Sequence, residues 1–212
     1  GVLIKEPVFE SGFNAFRSLD EELEREANTQ AIAAEAGLAP RVIALETTPG
    51  KSPQLFMEDI RDKYMKSNEA YTEINTDDEN DAFKPYSSVG NKTDVRLQTA
   101  QQVGELALRG VALQDRNAGN VFIHKMTGRP KQIDFGIADQ VTRGSREQIE
   151  ALMGATADGF SAAGLNDIGE IFEMTVMRLI KEGDFESAFD VAKQGFSRLQ
   201  KIKRTSDLQG MG

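Results

Sequence analysis

The spacing of apolar side chains predicts strands near the start of the chain. Residues 2–5, 41–46 and 54–58 have the composition of short strands, and the turn-rich segment between the last two favours a hairpin. From 18 to 36, apolar positions recur every three or four residues, which indicates a helix that ends at Gly37. The first part of the chain therefore predicts a small sheet with one helix packed against it.

The second part of the chain predicts helices with one inserted hairpin. The hairpin would consist of strands at 121–124 and 131–134 around Thr127-Gly128. Apolar residues on one face indicate one helix before the hairpin and three after it, at 94–109, 145–153, 166–182 and 186–201. Between the two parts, residues 61–93 are polar and irregular, which is typical of a long loop or an insertion.

This order of elements predicts an α+β fold with two lobes. Residues 1–60 would form an N-lobe of sheet plus one helix, and residues 61–93 a connector or insertion. Residues 94–212 would form a helical C-lobe that carries the hairpin.

Composition and charge narrow the possible functions. The 212-residue chain has no cysteine, which excludes disulfides, a thiolate nucleophile and a cysteine-based zinc site. Its net charge of −9 argues against nucleic acid and anionic membranes as partners. No apolar run approaches the roughly 18 residues of a membrane span. We therefore expect a cytoplasmic protein, and a chain of this kind would also suit a bacterial effector or phage product in a host cytosol.

Polar side chains converge at one end of the predicted hairpin. If the turn is centred on Thr127, Asn120 faces Asp134, and opposite residues of an antiparallel pair lie within about 5 Å. Asp115 lies on the loop that enters the same place. Amide and carboxylate oxygens suit a hard cation such as Mg²⁺, and a further Asp can orient or deprotonate an attacking hydroxyl. The alternative interpretation is a plain β-hairpin with polar ends.

These residues resemble motifs of the protein-kinase-like superfamily, which includes eukaryotic-type protein kinases and aminoglycoside phosphotransferases. Asp115 and Asn120 match the catalytic-loop pattern Asp-x-x-x-x-Asn, and Asp134-Phe135-Gly136 matches the Asp-Phe-Gly motif. The resemblance implies that Asp115 is the catalytic base, that Asn120 and Asp134 are ligands of Mg²⁺, and that ATP is the phosphate donor.

The resemblance extends to the N-lobe. Lys5, in the first strand, resembles the lysine that contacts the nucleotide phosphates, and Glu26 resembles the helix glutamate that pairs with it. Glu26 also borders the apolar stripe of the predicted helix, so it can reach inward, whereas Glu24 points away. The alternative is that these glutamates form a solvated charged face.

Residues 55–60 resemble the last strand of the N-lobe sheet in this family and the hinge between its lobes. By this resemblance, Met57 would sit behind the adenine, and backbone groups of Glu58 and Ile60 would bond its edge. An apolar strand followed by charged residues is a common pattern, so it is compatible with a structural role as well.

The chain also departs from the family. Leu113-Gln114 stand where kinases have His-Arg, and Asn117 replaces the catalytic-loop lysine. Only four residues precede Lys5, so we expect a reduced N-lobe without the glycine-rich hairpin, or a fragment.

Two functions follow from these features. The first is an ATP- and Mg²⁺-dependent kinase acting on a hydroxyl. A protein Ser/Thr acceptor is favoured by the intact Asp-Phe-Gly, and a small-molecule acceptor by the aminoglycoside-kinase character of the region around Glu26. The second is a pseudokinase, or a nucleotide-binding scaffold or interaction domain without transfer activity.

Overall fold

A computed structural model describes residues 1–6, 19–48, 51–66, 71–72, 84–85, 92–114 and 120–203. Helices and short antiparallel strands are mixed along these residues, as the α+β prediction requires. In chain order the elements are β1 (Val2–Lys5), α1 (Leu19–Glu35), β2 (Val42–Glu46), β3 (Gln54–Glu58), β4 (Tyr64–Lys66), β5 (Tyr71–Thr72), β6 (Lys84–Pro85), α2 (Lys92–Leu108), β7 (Val111–Leu113), β8 (Val121–His124), β9 (Pro130–Gln132), β10 (Ala138–Gln140), α3 (Arg146–Ala162), α4 (Asn166–Glu182) and α5 (Phe185–Leu199).

The N-terminal sheet has the strand order β1-β3-β2, with both pairs antiparallel. The predicted hairpin of β2 and β3 is confirmed, and β1 adds to the other edge of β3, with Lys5 opposite Leu55. Helix α1 covers this sheet through Leu23 and Ala27, which pack against Leu55 and Met57. The sheet and its helix therefore form one layer each around a small apolar core.

The C-terminal end of α1 confirms the predicted stop. Gly37 has a φ of +74°, a left-handed conformation that costs glycine little. The N–H of Leu38 donates to the carbonyl of Ala33 at 2.9 Å, which caps the last turn. Residue 18, where the sequence predicts that this helix begins, lies outside the described residues.

Helices α2 to α5 enclose the largest apolar core. It is built from buried side chains of all four helices, including Leu97, Leu152, Val176 and Phe196. Helix α3 is longer than the sequence predicts, because it continues beyond Met153 to Ala162. Tertiary packing accounts for the difference, since buried residues continue to Phe160 on this helix and outweigh the low helix propensity of its glycines. Within the described residues, no helix is both long and apolar enough to cross a membrane.

The inserted hairpin of β8 and β9 exists, but its predicted register is wrong by one residue. Val121 pairs with Gln132, and the N–H of Ile133 donates to the carbonyl of Asn120 at 2.9 Å. Asn120 therefore faces Ile133 rather than Asp134. The loop of residues 125–128 has an even length, because the N–H of Gly128 donates to the carbonyl of His124 and Gly128 takes a φ of +67°. The expected turn centred on Thr127 would need an odd length.

Three of the short strands that the sequence pattern does not predict, β4, β7 and β10, connect these parts. β4 extends the hairpin to a three-stranded sheet of order β4-β8-β9, although residues 61–93 read as a loop or insertion. β7 pairs with β10, so that Leu113 lies opposite Ala138. Both belong to a second buried core, which also receives Phe135 and Ala33 of α1. This second core ties the N-terminal helix to the helical half of the molecule.

We predict that Gly104→Ala destabilises the protein, although alanine favours helix. A Cβ on Gly104 of α2 would overlap the ring of Phe196 on α5, and that ring is only 1% exposed. Overpacking of this kind costs about 2 kcal/mol, which exceeds the gain in helix propensity of about 1 kcal/mol. Urea unfolding should therefore show a lower free energy of unfolding for Gly104→Ala. The same substitution should cost less in a Phe196→Leu background, and equal costs in both backgrounds would contradict the contact.

Candidate functional site

The ammonium group of Lys5 joins three distant parts of the chain. Lys5 lies at the end of β1, and its Nζ donates to Glu26 Oε1 of α1 at 2.6 Å and to Asp134 Oδ1 at 2.7 Å. We call these three residues the Lys5 cluster. The exposed fraction of the side chain rises from 5% for Glu26 to 30% for Lys5 and 49% for Asp134. One side of the cluster is thus packed against α1, and the other is open to a ligand.

Burial and the neighbouring charges shift the pKa values of Lys5 and Glu26 in opposite directions. Burial alone would lower the pKa of Lys5, but the charges and hydrogen bonds of Glu26 and Asp134 outweigh it and raise the pKa above 10.5. Lys5 is therefore fully charged at neutral pH. Burial also raises the pKa of Glu26 above its ordinary 4.5, because Lys5 offsets only part of that effect.

The backbone around Asp134 has an unusual conformation. Asp134 is the single non-glycine residue with a positive φ, +59°, in the described part of the chain. Aspartate tolerates this left-handed conformation better than most residues, at a cost of about 1–2 kcal/mol. The following residue, Phe135, is fully buried in the second core, and its backbone also hydrogen bonds to Glu26. The buried ring therefore holds the chain while Asp134 turns its carboxylate toward Lys5.

Gly136 leaves space beside the Lys5 cluster. A Cβ at this position would lie 3.3 Å from Asp134 Oδ1, 3.7 Å from Glu26 Oε2 and 4.0 Å from Lys5 Nζ. Its N–H points to Asp134 Oδ1 at 3.4 Å. The φ of Gly136 is not in the left-handed range, so its backbone conformation does not require glycine. A glycine fits here because it leaves space for the neighbouring side chains.

A second polar network lies directly behind the cluster, and sequence reasoning missed it. Arg25 Nη1 donates to Asp139 Oδ1 at 2.7 Å, and Arg25 Nη2 donates to the carbonyl of Gly136 at 2.6 Å. The other oxygen of Asp139 accepts a hydrogen bond from Gln114 Nε2 at 2.7 Å. The one sequence signal was the position of Arg25 next to Glu26, and nothing in the pattern marked Asp139.

The residues assigned to the adenine edge lie on β3 and just after it. Met57 is buried, and its Sδ is 3.7 Å from Gln30 Nε2 of α1. The N–H of Glu58 donates to the carbonyl of Arg41 at 2.8 Å, within the sheet. The carbonyl of Ile60 accepts from the N–H groups of Lys63 and Tyr64. These backbone groups are therefore engaged in the protein itself, and contact of Met57, Glu58 and Ile60 with a nucleotide stays a prediction.

The proposed metal ligands are only partly described. Asp115 lies outside the described residues, so its predicted role as catalytic base stays a prediction. Asn120 begins the hairpin and Asp134 follows it, and their oxygens have the hard character that Mg²⁺ prefers. Within the described residues, no group of three His, Cys, Asp or Glu side chains could hold a metal ion. A site here would thus need an amide, water and phosphate oxygens beside Asp134, which fits Mg²⁺ better than Zn²⁺.

Comparison with known proteins identifies no relative in sequence. No protein-family model matches the chain, and no curated protein matches it. Among solved structures, one that resembles it is WbdD crystallised with the kinase inhibitor LY294002. The two are 13% identical with a TM-score of 0.48, and the alignment covers 98% of this chain but 43% of WbdD. This chain therefore spans less than half the length of that neighbour.

We predict that Lys5→Met destabilises the protein because it leaves the buried carboxylate of Glu26 without its partner. The cost should be about 2 kcal/mol at pH 7, below the roughly 3–5 kcal/mol of a fully buried pair, because Lys5 is partly exposed. In the variant, the pKa of Glu26 rises further. A carboxyl group with a raised pKa penalises folding at high pH, so the deficit should shrink as pH falls towards 4.5.

Chemical denaturation of Lys5→Met at several pH values checks this prediction. The double variant Lys5→Met/Glu26→Gln should recover most of the lost stability at pH 7, because it removes the buried charge. Lys201→Met, which alters an exposed lysine, is the matched control. A deficit that is the same at pH 5 and pH 8 would contradict an uncompensated Glu26.

We also predict that Gly136→Ala affects the site more than the fold. The added Cβ meets only the ends of side chains, which can shift by a few tenths of an ångström. The melting temperature should therefore change by about 2 °C or less. Affinity for Mg-ATP, the ligand that the sequence resemblance predicts, should fall by about tenfold as the Lys5 cluster is displaced. Isothermal calorimetry and thermal unfolding measure the two effects. A large loss of stability with unchanged affinity would show that Gly136 serves the fold instead.

Proposed function

We propose that this protein is an ATP- and Mg²⁺-dependent phosphotransferase, with a two-lobed protein-kinase-like fold, that transfers the γ-phosphate to a hydroxyl. The observation that carries the proposal is the position of Lys5 Nζ between Glu26 at 2.6 Å and Asp134 at 2.7 Å. A lysine held extended by a buried glutamate, beside a carboxylate that can hold a metal, is what phosphoryl transfer requires.

The domain plan follows the same proposal. Residues 1–60 would be the N-lobe that brings Lys5 and Glu26 to the phosphates, and residues 94–212 the C-lobe that brings Asp115, Asn120 and Asp134. Residues 61–93 would connect them. The second core, in which Ala33 of α1 packs with Phe135 and Leu113, would fix the position of one lobe against the other.

In the proposed reaction, each residue has a separate task. Lys5 would bind phosphate oxygens, and Glu26 would keep its ammonium group extended. Asn120 and Asp134 would hold Mg²⁺, which neutralises charge on the phosphates when it is bound. Asp115 would accept the proton of the acceptor hydroxyl as its oxygen bonds to the γ-phosphorus, while the bond from that phosphorus to the bridging oxygen breaks and ADP leaves.

Both classes of acceptor are compatible with this site. The complete Asp134-Phe135-Gly136 motif favours a Ser or Thr hydroxyl of a protein, and the helix region around Glu26 favours a small molecule. We propose the protein acceptor first. The chemistry at the phosphate is the same for either class, because each presents a hydroxyl group.

A pseudokinase is the alternative that a specific contact favours. Lys5 bonds directly to Asp134 Oδ1, an oxygen that would otherwise be available to a metal. Asn117 also stands where the family has a lysine that contacts the transferred phosphate. A protein that binds nucleotide at this site without transferring phosphate would act as a scaffold or interaction domain.

We predict that the protein binds Mg-ATP and transfers its γ-phosphate. Incubation with labelled ATP should place label on the protein itself, on added protein mixtures or on small alcohols. Asp115→Asn and Asp134→Asn should each lower transfer by about 100-fold or more, whereas Asp190→Asn, on the exposed face of α5, should not.

Thermal shift with Mg-ATP separates the outcomes of this experiment. A rise in melting temperature without transfer would favour the pseudokinase. Absence of any shift would make nucleotide binding untenable, and equal transfer by wild type and the Asp115 and Asp134 variants would refute the assigned catalytic centre.

A further inference from the structure

Arg25 binds the segment that follows Asp134 at two points. One Nη group donates to the carbonyl of Gly136, and the other to the carboxylate of Asp139. The planar guanidinium presents its donors in a fixed fork, so two simultaneous acceptors restrict the position of this segment strongly. The Arg25 side chain is 19% exposed, so water weakens these bonds only partly.

Arg25 and Glu26 are neighbours on α1 and act on adjacent parts of the same segment. Glu26 contacts Lys5 and the backbone of Phe135, whereas Arg25 contacts Gly136 and Asp139. Any movement of α1 therefore moves both contacts together. The left-handed turn at Asp134 lies immediately before the residues that are held.

The network also reaches the loop that contains the proposed base. Asp139 Oδ2 accepts from Gln114, and Gln114 directly precedes Asp115 in the chain. β10, which carries Asp139, is itself paired with β7, which ends directly before Gln114, and Ala138 lies opposite Leu113. Asp139 thus links α1 to Gln114, the residue before the proposed base.

We infer that Arg25 is a positioning residue, which with Asp139 and Gln114 clamps Asp134 and the start of the Asp115 loop to α1. The inference that this clamp serves transfer rests on the proposed phosphotransferase function. The clamp itself is a property of the fold and can be measured without activity. Because Asp139 already supplies a carboxylate to Arg25, the clamp needs no covalent modification to form, unlike an arginine that pairs with a phosphorylated residue.

If the clamp exists, its loss should speed up backbone hydrogen exchange in the segment that Arg25 holds. In Arg25→Met, the amides of residues 135–140 should exchange about tenfold faster than in wild type, because local opening no longer breaks the two bonds of Arg25. Asp139→Asn should act in the same direction, and the double variant should add little to either. Arg146→Met, which removes an exposed pair with Glu150 on α3, is the matched control and should leave this segment unchanged. Exchange in residues 135–140 that is unaffected by Arg25→Met would overturn the clamp.

Kinetics test whether the clamp serves the reaction. Arg25→Met should lower kcat for phosphate transfer by about tenfold or more and change KM for ATP by less than about threefold, because the lost contacts position groups for the transition state. Arg25→Lys should recover part of kcat, since a lysine can pair with Asp139 but cannot form the fork. Gly104→Ala, which destabilises α2 against α5, serves as the comparison for stability.

The outcomes are distinguishable. If Gly104→Ala and Arg25→Met lose kcat equally, Arg25 supports the fold alone and the positioning role is refuted. If wild type neither binds nor turns over Mg-ATP, the proposed function fails, and the exchange experiment still decides whether the clamp exists.

Discussion

The ammonium group of Lys5 contacts two carboxylates that lie 21 and 129 residues farther along the chain. Apolar contacts bring β1, α1 and the turn after β9 near one another, but they are non-directional. Charge-assisted hydrogen bonds of 2.6 and 2.7 Å fix distance and direction as well. The arrangement of the candidate site therefore depends on one small charged group whose position is set by three separate elements.

Helix α1 makes this contact possible because it belongs to two cores at once. Leu23 and Ala27 pack on the N-terminal sheet, and Ala33 packs in the second core beside Phe135. Glu26 lies between Leu23 and Ala27 in the sequence, and its carboxylate is buried where it accepts the hydrogen bond from Lys5. Burying it is costly, and the pair with Lys5 offsets only part of that cost. A charged group buried at such a cost is a candidate functional residue.

The sequence predicted those features that depend on neighbouring residues. Helix α1 and its end at Gly37, the β2–β3 hairpin and the helices of the second half follow from apolar spacing and turn chemistry. The three-residue strands β4, β7 and β10 are too short to show a period, and their partners are distant in sequence.

The predicted register of the β8–β9 hairpin was wrong for a related reason. Its loop length is set by the hydrogen bond from Gly128 to His124, and a glycine in a turn does not by itself distinguish odd from even loops. The consequence reaches the site, because a slip of one residue separates Asp134 from its expected position opposite Asn120. The left-handed φ of Asp134 then directs the carboxylate to Lys5 instead.

The Arg25–Asp139–Gln114 network could not be predicted, since each member is an ordinary surface residue type in the sequence. Its members come from α1, from β10 and from the residue after β7, and only the fold brings them together. The pairing of β7 with β10 is the missing step. Asp139 lies opposite Ala112, so Gln114, two residues farther along, is its diagonal neighbour on the same face, and the two side chains are long enough to share a hydrogen bond.

Charge balance at the Lys5 cluster bears on how an anionic ligand could bind. One ammonium and two carboxylates give the cluster a net charge of −1 when all are ionised, in a chain whose net charge is −9. A phosphate brought to Lys5 alone would meet the repulsion of the Asp134 carboxylate, which is half exposed, so that water screens part of it. In the proposed function, a divalent cation on Asp134 would reverse the sign and free Lys5 from that carboxylate for the phosphate. The ion pair between Lys5 and Asp134 would then link the two proposed ligands, and we expect nucleotide to bind only together with the metal.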